Sequence, residues 1–193
     1  MFILKDVETK RIYGRASEAN AFDEVVFDTK VVIEQIDEPL VECAGALYKQ
    51  SEAPASLLDE VKSAALSRID SATSAAILAG FEYTIDNEIL HFSYDSFDQQ
   101  NFADTANVAT LTLSGIEGLP TSITWNAYRN YTPKTGGELV RLVLDSSAFL
   151  ELYTKGALVH KAMKMEIGGQ RKSQIESANT IEEIEYLLSV WKI

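Results

Sequence analysis

The chain is poor in the residues that build covalent and metal-held scaffolds. One cysteine, Cys43, and two histidines, His91 and His160, occur in 193 residues. A lone thiol excludes an internal disulfide and a cysteine-based zinc cluster. No cofactor or metal site is expected. Apolar runs are short, and none nears the ~20 residues that a membrane helix needs. No membrane insertion is therefore expected. The opening Met1-Phe-Ile-Leu-Lys-Asp is too short and too soon charged for a signal peptide, which predicts synthesis and folding in a cytoplasm. Basic residues are scarce, 17 against 29 acidic ones, for a formal charge of -12. Such a surface repels phosphate and anionic lipid, so nucleic acid is excluded as a partner. Phosphate loops are missing as well. Gly136-Gly137 has no Lys-Ser or Lys-Thr after it, no Gly-x-Gly-x-x-Gly occurs, and the pair reads as a flexible turn.

The chain does have the means to build a core. Hydrophobic residues make up 46% and charged residues 24%, which are values of a folded globular chain. The first fifty residues look β-rich. Strands are expected at Phe2–Lys5, Arg11–Tyr13 and Ala46–Lys49, with a hairpin from Glu24–Phe27 through Asp28-Thr29-Lys30 to Val31–Glu34. Pro54 suits the first position of a helix, and Ser56 with Asp59 has capping-box spacing. Leu57, Val61, Ala65, Ile69, Ala72 and Ala76 then mark one helical face as far as Gly80, a C-terminal cap. That face is rich in alanine. It suits ordinary packing on its own sheet, with a tight helix hairpin or an oligomer seam as the alternatives.

Beyond Gly80, Phe81–Ile85 and Ile89–Tyr94 read as paired strands around Asp86-Asn87-Glu88. Asp95 or Ser96 should cap a helix to about Ser114 with Phe97, Phe102, Ala106, Ala109 and Leu113 inward. Ser122–Tyr128 and Leu139–Leu144 are two more strands. A long helix from Asp145 or Ser146 should present Phe149, Tyr153, Gly156, His160, Met163 and Ile167 on one stripe and stop at Gly168-Gly169. A short helix follows from Gln170. Thr180 and Glu183 cap a last one whose apolar face is Ile181, Ile184, Leu188 and Trp191. The predicted class is α+β. A small β unit spans 1–50, an alanine-rich connecting helix 51–79, and a hairpin-and-helix domain with C-terminal helices 80–193.

An ordered series of features in the second half resembles a domain of unknown function found widely in phage tail and tail-fibre gene clusters. Gly80-Phe81-Glu-Tyr83 closes a helix, and Phe92-Ser-Tyr94-Asp95 sits on the second strand of a pair. Gln99-Gln100-Asn101 lies near a helix start, and a lone strand tryptophan, Trp125, precedes the strand that feeds the long helix. Gln170-Arg-Lys-Ser-Gln-Ile175 then leads to Asn179-Thr180-Ile-Glu-Glu183. Where a Leu-Thr pair is expected before the long helix, this chain has Leu142-Val-Leu-Asp145. The resemblance implies a non-enzymatic virion protein, a baseplate or tail-fibre component made in the bacterial host cytoplasm. It implies other tail or fibre proteins as partners, with the chain itself, as a trimer, another. A fibre-assembly chaperone and a carbohydrate-binding module for the host surface are the alternatives. The family brings no catalytic residues with it.

Candidate chemistry is sparse. His160 falls on an apolar helical stripe and His91 between strand residues, and a hydrogen-bonded core histidine is the commoner role in both settings. Cys43 with either histidine has no local nucleophile signature. Asp95 and Asp98 flank Phe97 at a helix start, and Glu182 and Glu183 do the same near the end. The helix dipole and capping account for both pairs. Asn130-Tyr-Thr132 matches a glycosylation triplet but lacks a secretion signal. The sharper candidate is Trp125, Tyr128, Arg129 and Tyr131. Such residues at a strand end stack on sugars or anchor a protein partner. The competing reading makes Trp125 core and the two tyrosines its rim, because alternation buries Trp125.

Overall fold

The computed structural model describes residues 1–22, 30–43 and 45–191. The expected strand at Glu24–Phe27 and its turn through Thr29 lie outside these residues, as does the side chain of Ser56 and with it the Ser56–Asp59 pair. The class is α+β.

The first unit begins with β1 (Phe2–Asp6), β2 (Ile12–Ala16), β3 (Val31–Gln35), β4 (Leu40–Cys43) and β5 (Ala46–Lys49). They form one antiparallel sheet in the order β3-β1-β2-β5-β4. The β1–β2 turn forms because the Asp6 carboxylate accepts the backbone N–H groups of Glu8 and Thr9. Alternation gives the sheet two characters. Cys43, with Val41 and Tyr48, packs on Leu57 at the start of helix α1 (Ala55–Leu78). Ile3, Ile12 and Ile36 form a second small cluster with Leu40 and Leu47. Beside it, Lys5 and Lys49 are buried together. Lys5 Nζ lies 2.6 Å from Glu34 and 2.9 Å from Glu52, and Lys49 Nζ lies 2.8 Å from Glu34 and 3.3 Å from Glu52. Charged groups leave water only when paired in this way.

Helix α1 starts directly after Pro54, one residue later than expected, so Pro54 flanks the helix instead of opening it. Leu57, Ala65 and Ile69 of the expected stripe are buried, and Val61, Ala72 and Ala76 are half-buried. Gly80 ends the helix at a φ of +86°.

The second unit carries β6 (Phe81–Ile85), β7 (Glu88–Phe92), α2 (Ser96–Leu113), β8 (Ile123–Arg129), β9 (Glu138–Leu144) and α3 (Ser146–Glu151). Asp86 and Asn87 both have positive φ, the geometry of the two-residue turn that matches strand twist. The strands lie antiparallel in the order β6-β7-β8-β9, with α2 inserted between the two hairpins. Leu90, Phe92, Ile123, Ala127 and Leu144 face inward onto Phe102, Ala106 and Ala109 of α2 and Phe149 of α3. Asp95 caps α2 by accepting the Asp98 N–H. That cap sets the phase of the helix and corrects one expectation. Phe97 is five residues before Phe102 and comes out on the far side, 82% exposed. Leu113 keeps the phase but lies in the last turn, and it too is mostly exposed.

The long helix also departs from the reading. It does not stop at Gly168-Gly169. A π turn at Leu152–Ala157 follows α3, and α4 (Leu158–Ser177) runs through both glycines. Gly168 is a contact, not a stop. A Cβ there would lie 2.5 Å from Thr73 Oγ1, so glycine lets the two helices approach closely. The π turn inserts a residue and rotates the stripe. Leu152 and Ala157 become buried, while Met163 turns outward. Helix α5 (Ile181–Ser189) is capped by Thr180, which accepts the Glu183 N–H. Glu183 reaches back one residue further than a capping box requires, to the Asn179 N–H. Ile181 then packs with Cys43 and Leu57, so helix α5 belongs to the first unit.

Two outcomes are expected. Gly80→Ala forces positive φ and puts a methyl 2.3 Å from the Phe92 carbonyl, so denaturant melts should show a loss of about 2 to 4 kcal/mol. Gly136→Ala has a similar φ in open space and should lose only about 1 kcal/mol. The second concerns Glu34, whose carboxyl is held below its usual 4.5 chiefly by the hydrogen bond from Lys49 and then that from Lys5. A depressed carboxylate stabilises the fold above its unfolded value, and this is lost as pH falls through the folded one. The melting temperature should drop below about pH 4.5, and Glu34→Gln should flatten that drop while lowering stability at neutral pH.

Candidate functional site

Strand β8 is where the chemistry-bearing residues gather, and its alternation sorts them. Ile123, Trp125 and Ala127 point to the helices, while Thr124, Asn126 and Tyr128 point to the opposite, outer face. Trp125 is half-buried, its ring 4.3 Å from Phe102 and 5.0 Å from Phe149 between centroids. Arg129, at the strand end, is engaged. It makes a two-pronged ion pair with Glu88, its Nη2 2.9 Å from Glu88 Oε2, and lies 3.6 Å from Glu138. The guanidinium keeps the Glu88 carboxyl below the usual range.

Tyr131 lies on the outer face. Its ring stacks flat on His91, centroids 3.6 Å apart and planes 2° apart. His91 is thereby almost fully covered, and burial pushes its pKa below 6.5 against the opposing pull of Glu82. Tyr128 sits opposite both His91 and Leu139 in the ladder, 6.1 Å from Tyr131. The four candidate residues therefore do not form one surface. Trp125 and Arg129 belong to the helix side of the sheet, and Tyr128 and Tyr131 to the other.

The remaining candidates have structural roles. His160 donates its Nε2–H to the Ile77 carbonyl at 3.1 Å and stacks on Phe81. Cys43 is buried among apolar neighbours of the first unit. Asp95 is a helix cap. Gly137 has no room for a Cβ, which would come 2.8 Å from the Arg129 carbonyl and 2.9 Å from Tyr131 Cα, so the pair of glycines shapes the loop. No group of three or more His, Cys, Asp or Glu side chains suited to a metal occurs among the described residues.

The structure adds a feature that sequence reading missed. Strands β7 and β8 are paired at His91 and Tyr128. Past that pair an open groove of about 680 Å³ separates Ser93 and Asp95 from Thr124 and Asn126. Asp98, Asn101 and Thr105 of α2 form another wall, Arg141 of β9 joins from the outer face, and Trp125 borders it. Polar residues alternating along β8 were the visible signal. Nothing in the linear sequence shows that the two strands part. Comparison with family profiles, with characterised proteins and with solved structures finds no match.

Two substitutions test this arrangement. Trp125→Ala should cost about 3 kcal/mol in a denaturant melt through the cavity left beside Phe102 and Phe149. Tyr131→Ala should uncover His91, and an NMR titration should show its pKa rising back toward 6.5.

Proposed function

We propose that the protein is a structural component of a phage tail, a baseplate or fibre-associated part that works by holding neighbours, not by catalysis. The tail assignment rests on the ordered resemblance that runs from the helix before Gly80 to Trp191. The mode of action rests on one observation, the bare outer face of the second sheet. Helices cover the inner face. On the outer one, Val143 is 72% exposed and Ile89 63% exposed, with Leu139 about half exposed beside Tyr128. Arg141 stands among them, directly across from Asn126.

Apolar side chains gathered on one exposed face mark a contact surface, and tyrosine and arginine are the residue types that most often anchor one. The face is rigid, because its residues sit on paired strands with a packed core behind them. Partner chains of the tail, or further copies of this chain, meet it there through burial of apolar area with a polar rim. The -12 charge keeps the free protein soluble before assembly.

Quantitative mass spectrometry of gradient-purified tails tests the reading. The protein should be present in fixed ratio to a known tail protein. Val143→Glu, which should fold normally because the side chain is exposed, should be depleted from the particles. Absence of the wild-type protein from tails, with abundance in the infected lysate, would instead describe an assembly chaperone.

A further inference from the structure

The geometry points to a saccharide-binding site in the groove where β7 and β8 part, with a neutral or N-acetylated oligosaccharide as its ligand class. The antiparallel register that pairs His91 with Tyr128 would, if continued, set Ser93 against Asn126 and Asp95 against Thr124. Instead the chain leaves β7 for the Asp95 cap and α2, and these four residues line the groove. The split is built in, since Phe102 ties α2 to Trp125 on the far side of the gap.

The groove has the two elements that sugar recognition uses. One is an aromatic wall. The Trp125 ring is held by Phe102 and Phe149 and keeps part of its surface in the groove, where it can meet the C–H face of a pyranose. The other is a set of planar polar groups. The side-chain amides of Asn101 and Asn126 and the guanidinium of Arg141 line the groove with no side-chain hydrogen bond or ion pair to the described residues, as do the hydroxyls of Ser93, Thr105 and Thr124. Amides and guanidinium groups present paired donors and acceptors that match adjacent sugar hydroxyls. The volume lies within the roughly 300–1,000 Å³ of small-ligand sites.

Charge narrows the class. Asp95 and Asp98 outweigh Arg141 at the rim, so uronic or sulfated sugars are repelled, and nucleotides are repelled with them. Of the aromatic and arginine cluster Trp125, Tyr128, Arg129 and Tyr131, Trp125 and Tyr128 border this site, from opposite faces of β8. It does not depend on a place in a tail.

Isothermal titration calorimetry on the full chain tests the site, with maltotriose and chitotriose as neutral probes and trigalacturonic acid and AMP as anionic ones. At least one neutral probe should bind saturably. Asn101→Ala and Asn126→Ala, both at exposed positions, should each weaken it about tenfold, with circular dichroism unchanged. The inference is overturned if neither neutral probe gives saturable heat up to about 10 mM. Binding that survives both substitutions overturns it as well, since the ligand then sits elsewhere, and so does binding of the anionic probes alone.

Discussion

Phe102 is fully buried, and five aromatic rings have centroids within 6.2 Å of its own. They come from separate elements. Phe81 belongs to β6, Tyr94 follows β7, Trp125 lies on β8, Phe149 on α3 and Tyr153 in the π turn. One side chain of α2 therefore holds both hairpins of the second sheet and the helix that follows them. Tilted and offset rings of this kind add to the gain from burial alone. The small residues around it, Ala106, Ala109, Ala127 and Ala157, are all buried and let the backbones come close enough for the rings to meet.

The groove is a consequence of that hub. A four-stranded antiparallel sheet would ordinarily zip β7 to β8 along their length. Here the chain must leave β7 early enough for Asp95 to cap α2 and for Phe102 to reach the core. Ladder hydrogen bonds beyond His91 give way to aromatic packing, and a polar opening is left in the sheet. The outer face carries the other consequence. With α2 and α3 both on the inner side, Ile89, Leu139 and Val143 stay exposed on the outer one, where the Tyr131 ring stacks over His91. The two surfaces proposed to bind something arise from one choice of where the helices pack.

The first unit is held by different means. Its apolar clusters are small, and Lys5, Lys49, Glu34, Glu38 and Glu52 form a charged network beside one of them. Lys5 and Lys49 each touch both Glu34 and Glu52, so no single pair carries the compensation for lost hydration. The Lys49 ammonium is held above its ordinary value chiefly by its hydrogen bond to Glu34, so it stays charged at neutral pH beside the carboxylates that pair with it.

Local chemistry alone determined much of this protein. The α+β class, the strands on either side of Asp86-Asn87, the Asp95 and Thr180 caps and the Gly80 stop all follow from periodicity and from which side chains bond their own backbone, and these act over a few residues. The interior face of α1 was legible for the same reason. Tertiary structure decided the rest. Gly168 has the local signature of a helix end, yet the approach of Thr73 outweighs the roughly 1 kcal/mol that a mid-helix glycine costs. The π turn shifts Met163 outward because Gly156 must lie against Phe81, a contact between residues 75 positions apart that no helical period encodes. Trp125 and Tyr128 look like one aromatic patch in sequence and stand on opposite faces of a strand. The groove depends on where β7 stops pairing with β8, which is set by the reach of Phe102 across the sheet and not by any residue within the strands themselves.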